Sequence, residues 1–168
     1  YLHIAALNHS GAATPYGALG STLTRAAQPG AAGTTFTAVY PASMTVTWSA
    51  NGNGPGTRYE AALSTDSGYP NAHAGNVAIT TAPEGGPSGA MTGLLANTSY
   101  FLFVRTLARD GGASPFIALG STATLAAEPG AVLPAFPEMG STGLTVLWGS
   151  GGNGLSRTTY TVEASTAA

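Results

Sequence analysis

Residues 18–31, Ala-Leu-Gly-Ser-Thr-Leu-Thr-Arg-Ala-Ala-Gln-Pro-Gly-Ala, return at 118–131 with changes only at positions 23, 25 and 28. The register extends on both sides. Thr45-Val46-Thr47-Trp48 precedes Thr145-Val146-Leu147-Trp148, and Asn53-Gly54 precedes Asn153-Gly154, each by 100 residues. Leu2, Ile4, Leu7, Gly11 and Pro15 stand 100 before Leu102, Val104, Leu107, Gly111 and Pro115. A period of 100 is the size of a small domain and exceeds the roughly 20–50 residues of a solenoid unit, so each unit requires its own core. Residues 28–127 make one complete unit, 1–27 the end of another and 128–168 the beginning of a third.

Within a unit the pattern is of short alternating segments separated by Gly, Pro, Asn and Ser, which predicts an all-β fold. In Ser43-Met44-Thr45-Val46-Thr47-Trp48 the even positions face a core, and the threonines, whose branched Cβ suits the pleat, face water. Tyr59, Ala61 and Leu63 form the inward face of a following strand, and Tyr100, Leu102 and Val104 that of a long one. Residues 64–93 carry many chain breakers around one short strand candidate, 76–80. A last strand falls near Gly120-Ser-Thr-Ala-Thr-Leu125.

These residues resemble the fibronectin type III domain. A Trp ends the second strand (Trp48, Trp148) and a Tyr begins the third (Tyr59, Tyr160). Leu94-x-x-x-Thr98-x-Tyr100 looks like the family's tyrosine-corner motif. Its sixth-strand pattern of apolar-x-Ala-x-Asn-x-x-Gly is seen as Ile4-Ala-Ala6-Leu-Asn8-His-Ser-Gly11; the central unit departs from it with Thr106 and Ala108, and Ala96 stands where Pro is common. The resemblance implies tandem seven-stranded β-sandwiches, with strands ABE in one sheet and CC′FG in the other. It also implies a fold-defining core of Trp48, Tyr59, Leu94, Tyr100, Leu102, Val104, Trp148 and Tyr160, with the Tyr100 hydroxyl bonded back to nearby backbone.

Only 7% of residues are charged, there are five Arg and no Lys, and the net charge is −2. Nucleic acid and anionic membrane surfaces are poor partners for such a chain. With 43% hydrophobic residues and recurring aromatics it should nevertheless fold, and a surface of Gly, Ala, Ser and Thr weakens the repulsion that keeps copies apart. No cysteine is present, so no disulfide framework exists. No apolar run is long enough to span a bilayer, and Tyr1-Leu-His-Ile lacks the basic start of a signal peptide.

Catalytic chemistry needs convergent polar groups. The carboxylates Glu60, Asp66, Glu84, Asp110, Glu128, Glu138 and Glu163 are scattered, without the acidic pair of a glycosidase. His3, His9 and His73 share no metal-ligand spacing. Gly52-Asn-Gly54-Pro-Gly56 precedes a strand, whereas a phosphate-cradling loop opens a helix. Asn97-Thr-Ser99 and Asn8-His-Ser10 match the glycosylation sequon, a match common by chance. The reading is non-enzymatic, with no cofactor and no metal.

One face invites contact. Phe101 and Phe103 alternate with the core positions of the long strand and so should point outward, as should their counterparts Tyr1 and His3; Leu147 is an outward apolar residue on the second strand. Outward aromatics either form an interface or lie under a loop of a neighbouring unit. The partial units at the two ends also have two readings. They are a window cut from a long tandem array, which the near-identical linkers Gln28-Pro-Gly and Glu128-Pro-Gly favour, or the A-B-C end of one copy is completed by the F-G end of the next. Either way the expected function is that of a structural filament, sheath or stalk, extracellular or at the cell surface, prokaryotic in type, whose partner is itself. The alternatives are an adhesion module recognising protein or cell-surface polysaccharide through loops 50–57 and 108–117, and a spacer of a secreted hydrolase.

Overall fold

The computed structural model describes residues 1–71, 75, 77–82, 86–109, 111–154 and 157–166. Among them the chain is all-β. The strands are β1 (Leu2–Ile4), β2 (Gly17–Gly20), β3 (Gly30–Thr37), β4 (Ser43–Ser49), β5 (Arg58–Ser64), β6 (Val77–Ala82), β7 (Ser88–Thr92), β8 (Ser99–Leu107) and β9 (Ile117–Ala123), followed by β10 (Gly130–Ala131), β11 (Glu138–Met139), β12 (Leu144–Thr145) and β13 (Trp148–Gly149).

Strands β3 to β9 form two antiparallel sheets, one ordered β3-β4-β7 and the other β6-β5-β8-β9. Alternation places Met44, Val46 and Trp48 of β4 and Met91 of β7 on the inner face of the first sheet. Tyr59, Ala61 and Leu63 of β5 and Tyr100, Leu102 and Val104 of β8 line the second. All ten, with Leu94, join in one core cluster between the sheets. Burying each large apolar side chain contributes about 1.5–3 kcal/mol, so this cluster is the main driving force for the two-layer arrangement.

Strand β7 is not legible in Ser88-Gly-Ala-Met-Thr92, which holds a single large inward residue. What it needs is close approach. A Cβ on Gly89 would lie 2.8 Å from Thr80 Cγ2 and 3.8 Å from the Trp48 ring, so glycine lets this strand sit beneath the indole.

The other strands form three two-stranded pairs, β1-β2, β10-β13 and β11-β12, and no strand pairing among the described residues crosses 27/28 or 127/128. Leu2 faces Gly20, His3 faces Ala18 and Ile4 faces Gly17; Leu102 faces Gly120, Phe103 faces Ala118 and Val104 faces Ile117. Both ladders slip one residue at the same place, where Gly20 and Gly120 take φ of 116° and 118°. That backbone region is costly for any residue with a Cβ, so glycine is required at the bulge. Likewise Ala31 pairs with Trp48 and Ala131 with Trp148.

The last segment departs from expectation. A third strand was predicted around Tyr160, yet residues 158–165 carry no regular strand. The equivalent β5 is hydrogen-bonded on both edges, by β6 and by β8. No strand among the described residues pairs with 158–164, and a segment without a ladder is not held extended.

Candidate functional site

The expected core residues of the central unit are closed off from water. Trp48 is 2% exposed, Tyr59 3% and Leu94 5%, while Tyr100, Leu102 and Val104 are fully buried. The Tyr59 ring meets Trp48 edge-on at 5.6 Å. The Tyr100 hydroxyl accepts the Leu95 backbone N–H at 2.8 Å, tying the β7-β8 connection to the core. Burial raises the Tyr100 pKa above the ordinary tyrosine value, and the Leu95 hydrogen bond partly opposes it.

Trp148 and Tyr160 are placed differently. Their rings keep the edge-on contact, at 5.8 Å, but Trp148 is 41% exposed and Tyr160 half-buried. They do not form a closed core, because no second sheet lies over them among the described residues.

The outward aromatic face also requires correction. Phe103, expected to be a contact residue, is only 5% exposed. On the outer side of the four-stranded sheet it packs with Ala62 and Tyr69 in a second small core, with Phe101 and Phe116 half-buried at its margin. Tyr69 lies 5.4 Å from both the Phe103 and the Phe116 rings. The cover comes from loops of the same unit, so Phe101 and Phe103 are packing residues and not an open interface. Beside them Arg105 bonds the facing Glu60 at 2.8 Å and sits 4.5 Å above the Phe116 ring. Burial first, and then the Glu60 charge, raise the Tyr69 pKa, with Arg105 opposing. Tyr1, His3 and Leu147 are exposed.

The segments that lead into β3 and β10 are each held by an asparagine clamp that no sequence motif marked. The Asn53 side-chain oxygen accepts the Ala27 N–H at 2.7 Å, and its Nδ2 donates to the Ala27 carbonyl at 2.8 Å. Asn153 does the same to Ala127, at 2.8 and 2.7 Å. Asn51 adds a bond from Nδ2 to the Gln28 carbonyl at 2.9 Å. At the second junction Asn97 donates through Nδ2 to the Arg157 carbonyl and to Thr158 Oγ1, both at 2.9 Å. This sequon asparagine thus spends at a junction the nitrogen that a glycan would need. The signal that could have exposed the clamp was the conserved spacing of Ala27 to Asn53 and Ala127 to Asn153 across the repeat.

The same linker runs past the loops considered for ligand contact. A cleft of about 180 Å³ lies between Leu23 and Ala26 on one side and Asn53, Pro55 and Arg109 on the other. Of the titratable groups singled out from the sequence, Asp66 accepts the Gly68 N–H in a local turn, and His73, Glu84 and Asp110 lie outside the described residues. Among the described residues no three His, Cys, Asp or Glu side chains gather as a metal site requires.

Two apolar faces are open. Leu2, Ile4 and Leu19 on β1-β2 are 63%, 58% and 60% exposed, and on the last segment Leu144 and Val162 are each 54% exposed.

Compared with known proteins, the chain matches no family model and no curated protein.

Proposed function

We propose that this chain is a non-enzymatic structural protein, built from tandem fibronectin type III-like units that set one another at a repeated angle to form an extracellular or cell-surface filament, sheath or stalk. The observation that carries the reading is the asparagine clamp. Two reciprocal hydrogen bonds tie the incoming linker to the next unit at Ala27-Asn53, and the same two bonds recur at Ala127-Asn153 with distances that agree within 0.1 Å. A linker pinned at the same point in successive units propagates one rotation per unit, and identical heterologous contacts that do not close on themselves generate a fibre. The low charge favours such close association.

The adhesion reading has less in its favour, because loops 50–57 and 108–109 flank the linker cleft at the junction. The test is denaturing mass analysis of native material beside electron microscopy of the undenatured sample. Regular rods or filaments with a repeating unit are expected; compact, unassociated particles would overturn the proposal.

A further inference from the structure

The asparagines that hold the linkers stand in a dipeptide whose own chemistry can undo them. Asn51-Gly52, Asn53-Gly54 and Asn153-Gly154 are the Asn-Gly pairs of the chain, and an asparagine before glycine cyclises readily because no Cβ hinders the approach of the glycine nitrogen. We infer that Asn51 is a site of spontaneous deamidation, that the clamp shields Asn53 and Asn153 from the same reaction, and that conversion of Asn51 loosens the linker and so exposes Asn53 in its turn.

The reaction needs only water. The Gly52 backbone nitrogen attacks Cγ of Asn51, forming a C–N bond that closes a cyclic imide; the bond from Cγ to Nδ2 breaks, and that nitrogen leaves as ammonia with the proton given up by the glycine N–H. Water then opens the ring at either carbonyl, so the residue becomes aspartate or, with an extra carbon in the main chain, isoaspartate. Nothing is oxidised or reduced.

Access differs among the pairs. Asn51 and Gly52 are both exposed, and the Gly52 N–H makes no hydrogen bond among the described residues. The Asn51 amide is held through its nitrogen, by one bond to the Gln28 carbonyl at 2.9 Å. Asn53 is half-buried and engaged through both atoms of its amide, at 2.7 Å by the Ala27 N–H and at 2.8 Å by the Ala27 carbonyl. Asn153 is 4% exposed, accepts the Ala127 N–H at 2.8 Å and donates to the Ala127 and Ser150 carbonyls, both at 2.7 Å. Turning Cγ toward the following nitrogen breaks one exposed bond at Asn51, two at Asn53 and more at Asn153. The reactive arrangement is therefore rarer at Asn53 than at Asn51 by roughly three- to tenfold, and rarer still at Asn153.

The product reverses the contact with the linker. A carboxylate oxygen in place of Nδ2 sets one acceptor against another at the Gln28 carbonyl, so a hydrogen bond becomes a repulsion. Isoaspartate in addition lengthens the chain between Asn53 and Ser49, whose Oγ accepts the Asn51 N–H at 3.2 Å. Either product frees Gln28, next to the Ala27 that Asn53 holds, and Asn53 then spends more time unbound. In the last segment the place of Asn51 is taken by Gly151, which has no amide to lose, so Asn153 has no such trigger beside it.

Peptide mapping by mass spectrometry follows these sites in the intact 168-residue chain during incubation in mildly alkaline buffer. Cleavage at Arg25 and Arg58 frees one peptide that carries Asn51 and Asn53, whose fragments tell the two apart, and cleavage at Arg109 and Arg157 frees the one that carries Asn153. In the folded chain the acid should accumulate first at Asn51, after a lag at Asn53 and last at Asn153, whereas in concentrated urea all should react at similar rates. Asn51→Asp should abolish the lag and speed Asn53 by roughly three- to tenfold while leaving Asn153 unchanged.

Equal rates at Asn51 and Asn53 in the folded chain, an Asn51 no more reactive than Asn153, or an Asn53 rate unmoved by Asn51→Asp would each overturn the inference. The first two are read in the unaltered protein and decide the matter even where the variant fails to fold. None of these readouts depends on filament formation.

Discussion

Asn53 holds Ala27 by both its backbone groups, accepting the N–H at 2.7 Å and donating to the carbonyl at 2.8 Å, across 26 residues of sequence. One side chain thereby replaces what a strand ladder would otherwise do for a linker residue. Each such bond contributes a net ~0.5–1.5 kcal/mol, and stranding a donor in a poorly hydrated place costs more.

Asn53→Ala should therefore loosen the junction while leaving the central sandwich folded. We expect unchanged thermal unfolding of the core within about 1 kcal/mol, together with faster proteolysis between residues 23 and 28. Equal proteolysis in both proteins would show that the clamp does not hold the linker. Asn153→Ala should act more strongly, because Asn153 is 4% exposed and also bonds the Ser150 carbonyl at 2.7 Å.

Phe103→Ser should destabilise the central unit. The ring is buried under Tyr69 and beside Ala62 on the outer side of the sheet, and truncating a buried Phe costs about 3–5 kcal/mol where the site cannot collapse. Denaturant unfolding of the full 168-residue chain checks this, with Leu147→Ser as the exposed control, expected to change stability by less than about 0.5 kcal/mol.

Thr106→Val should leave stability unchanged or raise it by up to about 1 kcal/mol. The Thr106 hydroxyl is fully buried in β8 without a hydrogen-bond partner among the described residues, and exchanging it for a methyl of the same shape removes that desolvation penalty. The equivalent position in the preceding unit is already apolar, Ala6. A midpoint shift in urea with unchanged slope is the measurement; a loss above 1 kcal/mol would contradict it.

Alkaline pH should weaken the central unit through Tyr100. Its folded pKa is raised, chiefly by burial, so the native state holds this proton more tightly than the unfolded chain, whose tyrosine titrates near pH ~10. Stability is thus fully present below that value and is lost as pH rises through the folded pKa. The fall in urea midpoint between about pH 8 and about pH 11 should be shallower in Tyr100→Phe, although that variant starts lower because the Leu95 N–H loses its acceptor. Tyr69, also raised by burial, adds to the fall in both proteins.

Much of the strand placement was legible because alternation is local. Thr45, Thr47 and their neighbours Met44, Val46 and Trp48 declare two faces within six residues, and the structure buries one of them. Strand β7 was not legible, since Gly89 serves a contact with Thr80 and Trp48 that has no local signature. Nor were the asparagine clamps, because an Asn in a Gly-rich loop reads as a turn residue until the linker is seen beside it.

The sequence by itself determined the all-β character, the 100-residue repeat and which side chains share a face of each strand, all consequences of short-range pattern. Only the tertiary structure decided which faces are covered. Phe103 and its counterpart His3, or Val104 and Ile4, occupy the same place in the same register, yet the first of each pair is buried and the second open. Burial requires a second surface brought from a distant part of the chain, such as Tyr69 over Phe103 or β4 over Val104, and no pattern within a strand encodes whether that surface is there.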